Sequence, residues 1–540
     1  MKGTVQRVLL LSLGLLSTVA SGREHDAVRP PLVVVLSIDQ MRADYLVRYA
    51  GLYEHGFARL LREGVHFRTA ELNYAVSSTG PGHATLGTGV YPWKSGIVAN
   101  NYTERATGRR VYCVADSTAG PVGGGDAGRM SPRNLLVTGL GDWLKSASPG
   151  SRVVSVSYKD RAAILMGGKH PDAAYWYDRH SGRMSSSSYY LPALPTWLGE
   201  FNASGWISQN LPRAWVKLRA DSVYAAFGPD DAPGEARWKE DRVFPHIIDP
   251  GREIGQLFNT PWGNDFLFDV ARAAIRGERL GKRGAVDLLW LSLSTTDNIG
   301  SNFGPNSHEM IDNLLRLDIS LGRFLADLDS SHGSGNVMLV LCGDHGVMPL
   351  PEYERASGDP SARRFDNSHA VERTVKGVDS VLRREFGIPD RIVKGGRINE
   401  SVFRGSPLTS RTVEERLRAA LLEVDGVADV YFRNELLLPS VPDRPYTLKY
   451  RHSCHPERSP DYFIRDCEYC LNEADSTGTG HGSPYAYDTR VPMVFWGTGR
   501  AAAVVDRTVH TVDLAVTLAA LYKLSVPAGV DGVALQEIVE

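Results

Sequence analysis

Four apolar runs of this 540-residue chain each lie next to an acid or a histidine. Asp39 directly follows LVVVLSI, Asp297 comes shortly after VDLLWLSL, Asp344 and His345 follow VMLVLCG, and His481 sits in GTGHG just before VPMVFW. Taken singly, each is a helix cap, a turn carboxylate or a surface histidine. Taken together, they sit where loops at the carboxyl ends of parallel strands converge on a crevice. Carboxylate oxygens and imidazole nitrogens without thiolates suit zinc. Two such ions can clamp the attacking and departing oxygens of an in-line displacement, and phosphoryl transfer is the obvious use.

The segment Ser77-Ser78-Thr79-Gly80-Pro81-Gly82-His83 supplies a candidate nucleophile in Thr79. Small residues let the backbone turn sharply, and a helix opening here presents free N–H groups to an anion. On its own such a loop is an ordinary turn or cap. A threonine hydroxyl attacks at neutral pH only when activated, for example by a metal ion, so the acids and histidines are what promote it.

The elements that must position these groups follow from the apolar pattern. Runs near 32–38, 153–157, 286–293, 337–342 and 491–496 read as strands buried on both faces, which belong in a parallel sheet. Ile311, Leu314, Leu315, Leu321, Phe324, Leu325 and Leu328 recur at helical spacing, as do Leu514, Leu518 and Leu521. The predicted fold is α/β: a doubly wound, mostly parallel central sheet flanked by helices. Residues 23–540 form one catalytic domain, with cap-like insertions at about 170–270 and 355–475.

Composition narrows the function classes. Lys plus Arg total 60 against 62 Asp plus Glu, which argues against a chain that coats nucleic acid. Hydrophobic residues at 42% and charged residues at 23% supply a substantial core and exclude wholesale disorder. Residues 1–22 read as a secretory signal: Lys2 and Arg7 precede an apolar run, and Ala20-Ser21-Gly22 offers small residues for cleavage. The alternative, a membrane anchor, needs roughly 20 apolar residues, more than the run supplies. The mature protein is therefore expected to be periplasmic or secreted, with no membrane span. Cys454, Cys467 and Cys470 cluster with His452 and His455, which leaves a zinc knuckle or a local disulfide open, Cys113 being a further possible partner. In an exported chain the disulfide is preferred.

With these residues assembled, the chain resembles the alkaline phosphatase superfamily, and most specifically the exported, phosphate-irrepressible alkaline phosphatases of the PafA type. SIDQMRADYL, SSTGPGHATLGTGVYPWKSGIVANNY, SYKDRAAI, STTDNIG, GPNSHE, LCGDHGVM and TGTGHGSPYAYDTRVPMVFWG fall in family order. The resemblance implies one zinc held by Asp39, Thr79, Asp344 and His345, and a second held by Asp297 and His481 with a further histidine. Where relatives carry Asp-x-x-Gly-His, this chain reads Asp297-Asn298-Ile299-Gly300-Ser301. A neutral hydroxyl is a poor zinc ligand beside imidazole, so the second site is expected to be weakened. His308 is nearby but belongs to a separate motif.

The resemblance also implies the substrate. Superfamily phosphodiesterases share the metal set, the threonine and an asparagine matching Asn100. Lys159 and Arg161, just past the strand VVSVS, are the discriminating pair: two extra cations suit a monoester dianion better than a singly charged diester. The sequence therefore predicts a zinc-dependent phosphate monoester hydrolase acting on small phosphate monoesters through a phosphothreonine at Thr79, with Asn100, Lys159 and Arg161 holding the phosphoryl group. The alternatives are a phosphodiesterase or nucleotide pyrophosphatase of the same superfamily, and a catalytically impaired phosphate-binding homologue.

Overall fold

The computed structural model describes residues 29–125 and 128–540. The expected signal segment, residues 1–22, lies outside them. Eleven strands form the central sheet: β1 (Leu32–Ile38), β2 (Val65–Glu71), β3 (Pro121–Val122), β4 (Val153–Ser157), β5 (Ala173–Asp178), β6 (Arg183–Ser187), β7 (Asp287–Leu293), β8 (Val337–Gly343), β9 (Arg490–Trp496), β10 (Ala503–Val505) and β11 (Val509–His510). Their spatial order is β10-β2-β9-β8-β1-β7-β4-β5-β6-β3, with β11 also pairing β2.

β1 lies at the centre, parallel to both neighbours: Leu32 stands beside Asp287 of β7 on one side and Val337 of β8 on the other. All seven of its residues are buried. Alternate side chains serve two layers. Leu32, Val34, Leu36 and Ile38 join a core with helix residues Leu267, Ile311 and Leu321, while Val33 and Val35 join Trp290, Val340 and Leu518 on the opposite face. This two-sided burial is why the runs lack polar alternation, and each buried Val or Leu contributes about 1.5–3 kcal/mol relative to exposure.

β9 departs from the expected parallel pairing, running antiparallel to both β8 and β2. The reversal has a use. A loop entering an antiparallel strand lies at the same rim as loops leaving the parallel ones, so His481, which precedes β9, reaches the edge where Asp39, Asp297 and Asp344 emerge.

The expected insertion at 170–270 begins later than its sequence suggested, because β5 and β6 belong to the sheet. Segment 355–475 carries its own apolar core, in which Val375 and Leu382 from one helix meet Val413, Leu417 and Leu421 from another and Val430 and Phe432 from a strand. Cys467 and Cys470 form a disulfide, which favours the local pairing over a zinc knuckle, and Cys113 and Cys454 are separate buried thiols. Among the described residues no helix is long and apolar enough to cross a membrane.

Candidate active site

Thr79 is the first residue of α1 (Thr79–Thr88), a helix buried along its whole length. Glycine is needed inside it for contact: a Cβ on Gly82 would meet the Asp344 carbonyl oxygen at 2.5 Å, and one on Gly80 would meet Asn100 Oδ1 at 3.0 Å. The Gly80 N–H donates to Asn100 Oδ1 at 2.7 Å, which fixes that amide and leaves its NH2 for a ligand. Helix geometry gives the first N–H groups no intrahelical acceptor, so this end carries a partial positive charge beside the Thr79 hydroxyl.

His83, one turn on, holds the helix in place. Its Nδ1 lies 2.8 Å from the Thr79 carbonyl oxygen and 3.1 Å from Asp344 Oδ2, and its Nε2 lies 2.9 Å from Ser292 Oγ.

Asp39, Asp344 and His345 converge below Thr79, all essentially without solvent exposure. One donor atom from each falls in a common group within 4.8 Å. His345 Nδ1 is 2.9 Å from the Gly346 carbonyl, and a carbonyl only accepts, so Nδ1 carries a hydrogen and Nε2 is the nitrogen whose lone pair a cation would take; burial opposes a second proton there, but Asp344 and Asp39 outweigh it and raise the ring to a pKa of about 9. Asp39 Oδ1 and Asp344 Oδ2 lie 3.3 and 3.5 Å from His345 Nε2, and none of these three buried atoms makes a well-formed hydrogen bond. Three buried ligand atoms of this chemistry turned to one point fit a divalent cation.

A second group contains Asp297, His481 and again His345. His481 Nδ1 donates to the Ser77 carbonyl at 2.8 Å, so its Nε2 is also a free lone pair. Burial, followed by the neighbouring His345 with which it stacks at 3.8 Å, depresses His481 to a pKa of about 4 and keeps it neutral. His345 has one free nitrogen to give, however, so this group owns only two donors outright. Ser301 does not complete it: Ser301 Oγ accepts from Gln40 Nε2 at 3.0 Å, and the same amide donates to Asp297 Oδ1 at 2.8 Å. His308 is engaged elsewhere, its Nδ1 3.2 Å from Asp230 and its Nε2 3.0 Å from the Gly228 carbonyl. The residues present do not furnish a full second site.

Lys159, at the N-cap of the helix that follows β4, and Arg161, in that helix's first turn, reach the same spot. Lys159 Nζ donates to Asp39 Oδ2 and Asp297 Oδ2, each at 2.5 Å, and lies 3.5 Å from Thr79 Oγ1. Arg161 Nη2 donates to Thr79 Oγ1 at 3.3 Å. Burial works against the Lys159 ammonium, but Asp297 and Asp39 outweigh it and hold its pKa above the ordinary lysine value. Burial likewise opposes ionisation of Asp39 and Asp297, and Lys159 overrides it, leaving both lowered.

All the sequence-predicted residues thus gather around Thr79. Two neighbours were not foreseen. Gln40 is one. Tyr112 is the other: its hydroxyl donates to Asp160 Oδ1 at 2.5 Å and accepts from Arg161 Nη1 at 3.5 Å. A tyrosine in a short polar hairpin gives no signal of this role from sequence.

Residues 33–440 match the model of the type I phosphodiesterase / nucleotide pyrophosphatase family. The chain is 35% identical over 533 residues to a protein named calcium-transporting ATPase from Myroides odoratus, covering 95% of each. It is 32% identical over 545 residues to alkaline phosphatase PafA of Elizabethkingia meningoseptica, covering 98% of each. The crystal structure of wild-type PafA matches with a TM-score of 0.87 at 32% identity, over 95% of this chain and 99% of that one.

Proposed function

Because the chain belongs to the PafA-type alkaline phosphatases, within the type I phosphodiesterase / nucleotide pyrophosphatase family, we propose that it hydrolyses small phosphate monoesters outside the cytoplasm through a phosphothreonine formed on Thr79. The observation that carries the reading is the convergence of two cations on one hydroxyl, with Lys159 Nζ and Arg161 Nη2 at 3.5 and 3.3 Å from Thr79 Oγ1. A monoester dianion has three non-bridging oxygens to meet them, whereas a diester presents one charge and a bulky group in place of an oxygen.

Zinc is the proposed cation, with Asp39, Thr79, Asp344 and His345 as the residues to hold it; when bound it lowers the proton affinity of the Thr79 hydroxyl. The Thr79 Oγ–P bond forms as the P–O ester bond breaks and the alcohol leaves. Water then attacks phosphorus, the P–Oγ bond breaks, and phosphate and the free hydroxyl are regenerated. Arg161 grips non-bridging oxygens through its planar fork, with Tyr112 and Asp160 fixing its direction. The Asn100 amide and the Thr79 N–H supply further donors where negative charge builds. Lys159 is held by two carboxylates and can offer its charge to the phosphoryl or leaving oxygen only by loosening one of them. His83 acts as a positioning residue, holding the Thr79 backbone against Asp344.

The test compares a monoester with its methyl-capped diester. Arg161→Gln and Lys159→Gln should lower monoester kcat/KM far more than diester kcat/KM, and equal losses on both would remove the assignment. Ser301 and Gln40 favour a second reading, a chain that binds phosphate with one cation and turns over slowly. Metal stoichiometry measured beside turnover separates the two: about one zinc per chain with no measurable monoesterase would favour the second.

A further inference from the structure

Among the described residues, a cavity of about 460 Å³ lies between the hairpin that follows Asn100 and segment 355–475. Arg105, Arg391, Lys394, Arg397 and Arg433 line it, against two acids, Asp461 and Glu400. None of these belongs to the Thr79 site. The acids are already committed. Asp461 Oδ1 accepts from Arg105 and from Arg433 Nε at 2.8 Å, and its Oδ2 accepts from the Ile398 N–H at 2.8 Å. Glu400 accepts from the Ser410 hydroxyl at 2.7 Å.

The cations are not all matched. Arg397 donates to the carbonyl oxygens of Ser459 at 2.7 Å and Thr103 at 2.5 Å, neutral acceptors, and the nearby Asp461 and Glu457 charges offset its own only in part. Its pKa falls below the ordinary arginine value, first from burial and then from the Arg105 charge beside it. Among the described residues the side chains of Arg391 and Lys394 and the terminal amino groups of Arg433 make no hydrogen bond or ion pair, Arg433 using only its Nε. Arg391 and Lys394 are exposed, and with Arg397 and the Asp461-paired Arg105 and Arg433 they put five basic groups on one open concavity whose positive potential draws anions.

We propose that this cavity is a second oxyanion site, taking inorganic phosphate as the dianion between Arg391, Lys394, Arg397 and Arg433. The guanidinium fork matches the oxygens of a tetrahedral anion, and the lysine adds a compact charge. The site does not depend on the chemistry at Thr79.

Equilibrium dialysis of the purified full-length enzyme with radiolabelled inorganic phosphate at low ionic strength tests it. The wild type should bind two phosphates per chain. Arg161→Gln should weaken one and spare the other. The double variant R391Q/K394Q should weaken the spared one by about tenfold or more while leaving monoester kcat/KM unchanged. A single bound phosphate that Arg161→Gln removes would overturn the proposal, as would a second phosphate whose affinity is the same in R391Q/K394Q.

Discussion

Gln40 and Ser301 are joined by a hydrogen bond of 3.0 Å, and the same Gln40 amide reaches Asp297 Oδ1 at 2.8 Å. Ser301, where the family resemblance implies a histidine, is thus tied to a side chain from the loop after β1, and Asp297 has one oxygen occupied by it. Ser301→His should return an imidazole donor and displace the Gln40 amide. The expected outcome is a gain of about 10-fold or more in affinity for the second zinc, read by metal analysis after dialysis against a chelator series, with a parallel rise in kcat. Unchanged metal content would show that the site gains nothing from the imidazole.

Thr79→Ala should abolish monoester turnover, because among the described residues no other hydroxyl is approached by both Lys159 and Arg161. Rapid acid quenching of the wild type with a labelled monoester should leave label on a peptide containing residues 77–85. Label elsewhere, or none under conditions where turnover is fast, contradicts a phosphothreonine.

Arg161→Gln removes a charge-assisted contact made beside the nucleophile, and a loss of about 100-fold in monoester kcat/KM is expected. Tyr112→Phe keeps the charge but deletes the hydroxyl that meets both Arg161 and Asp160, so a smaller loss, about 5-fold and mainly in KM, should follow. Should Tyr112→Phe instead lower kcat alone, the tyrosine would be doing something other than orienting Arg161.

Glu235 is buried, and burial together with nearby Glu309 raises its pKa to about 9. Glu309 itself, fully buried with Oε1 2.7 Å from His246 Nε2, is raised to about 8, chiefly by burial. Both carboxyls stay protonated in the folded chain where an unfolded glutamate has ionised. Their stabilising contribution is full below about pH 4.5 and is lost as the pH rises towards the folded values near 8 and 9. Glu235→Gln mimics the neutral acid, so thermal scans should show it more stable than wild type by about 2 kcal/mol at pH 9 and nearly equal at pH 4.5. An advantage that is the same at both pH values would exclude titration as its source.

Much of this site was legible in the chain because its donors sit next to runs so apolar that they read as buried strands. Asp39, Asp297 and Asp344 are found by that rule alone. His481 obeyed it for a different reason, since it precedes an antiparallel strand. Gln40 and Tyr112 were invisible, because an amide beside Asp39 and a phenol in a polar hairpin acquire partners only through contacts across 261 and 48 positions of sequence. AAYWYD was read as cap material because its aromatic residues resemble those of the following segment. Its complete burial as β5 comes from tertiary placement beside β4, which the local pattern does not reveal.

The ten residues of α1 have no face left for solvent. Altering one of them means repacking the centre of the molecule, so new specificity is hard to evolve or to engineer on the helix that bears the nucleophile. Diversification is pushed outward, to the aromatic segment after β6 and to segment 355–475, where loops can be exchanged without touching Thr79. Chimeras that swap those segments between homologues are the economical route to altered substrate range.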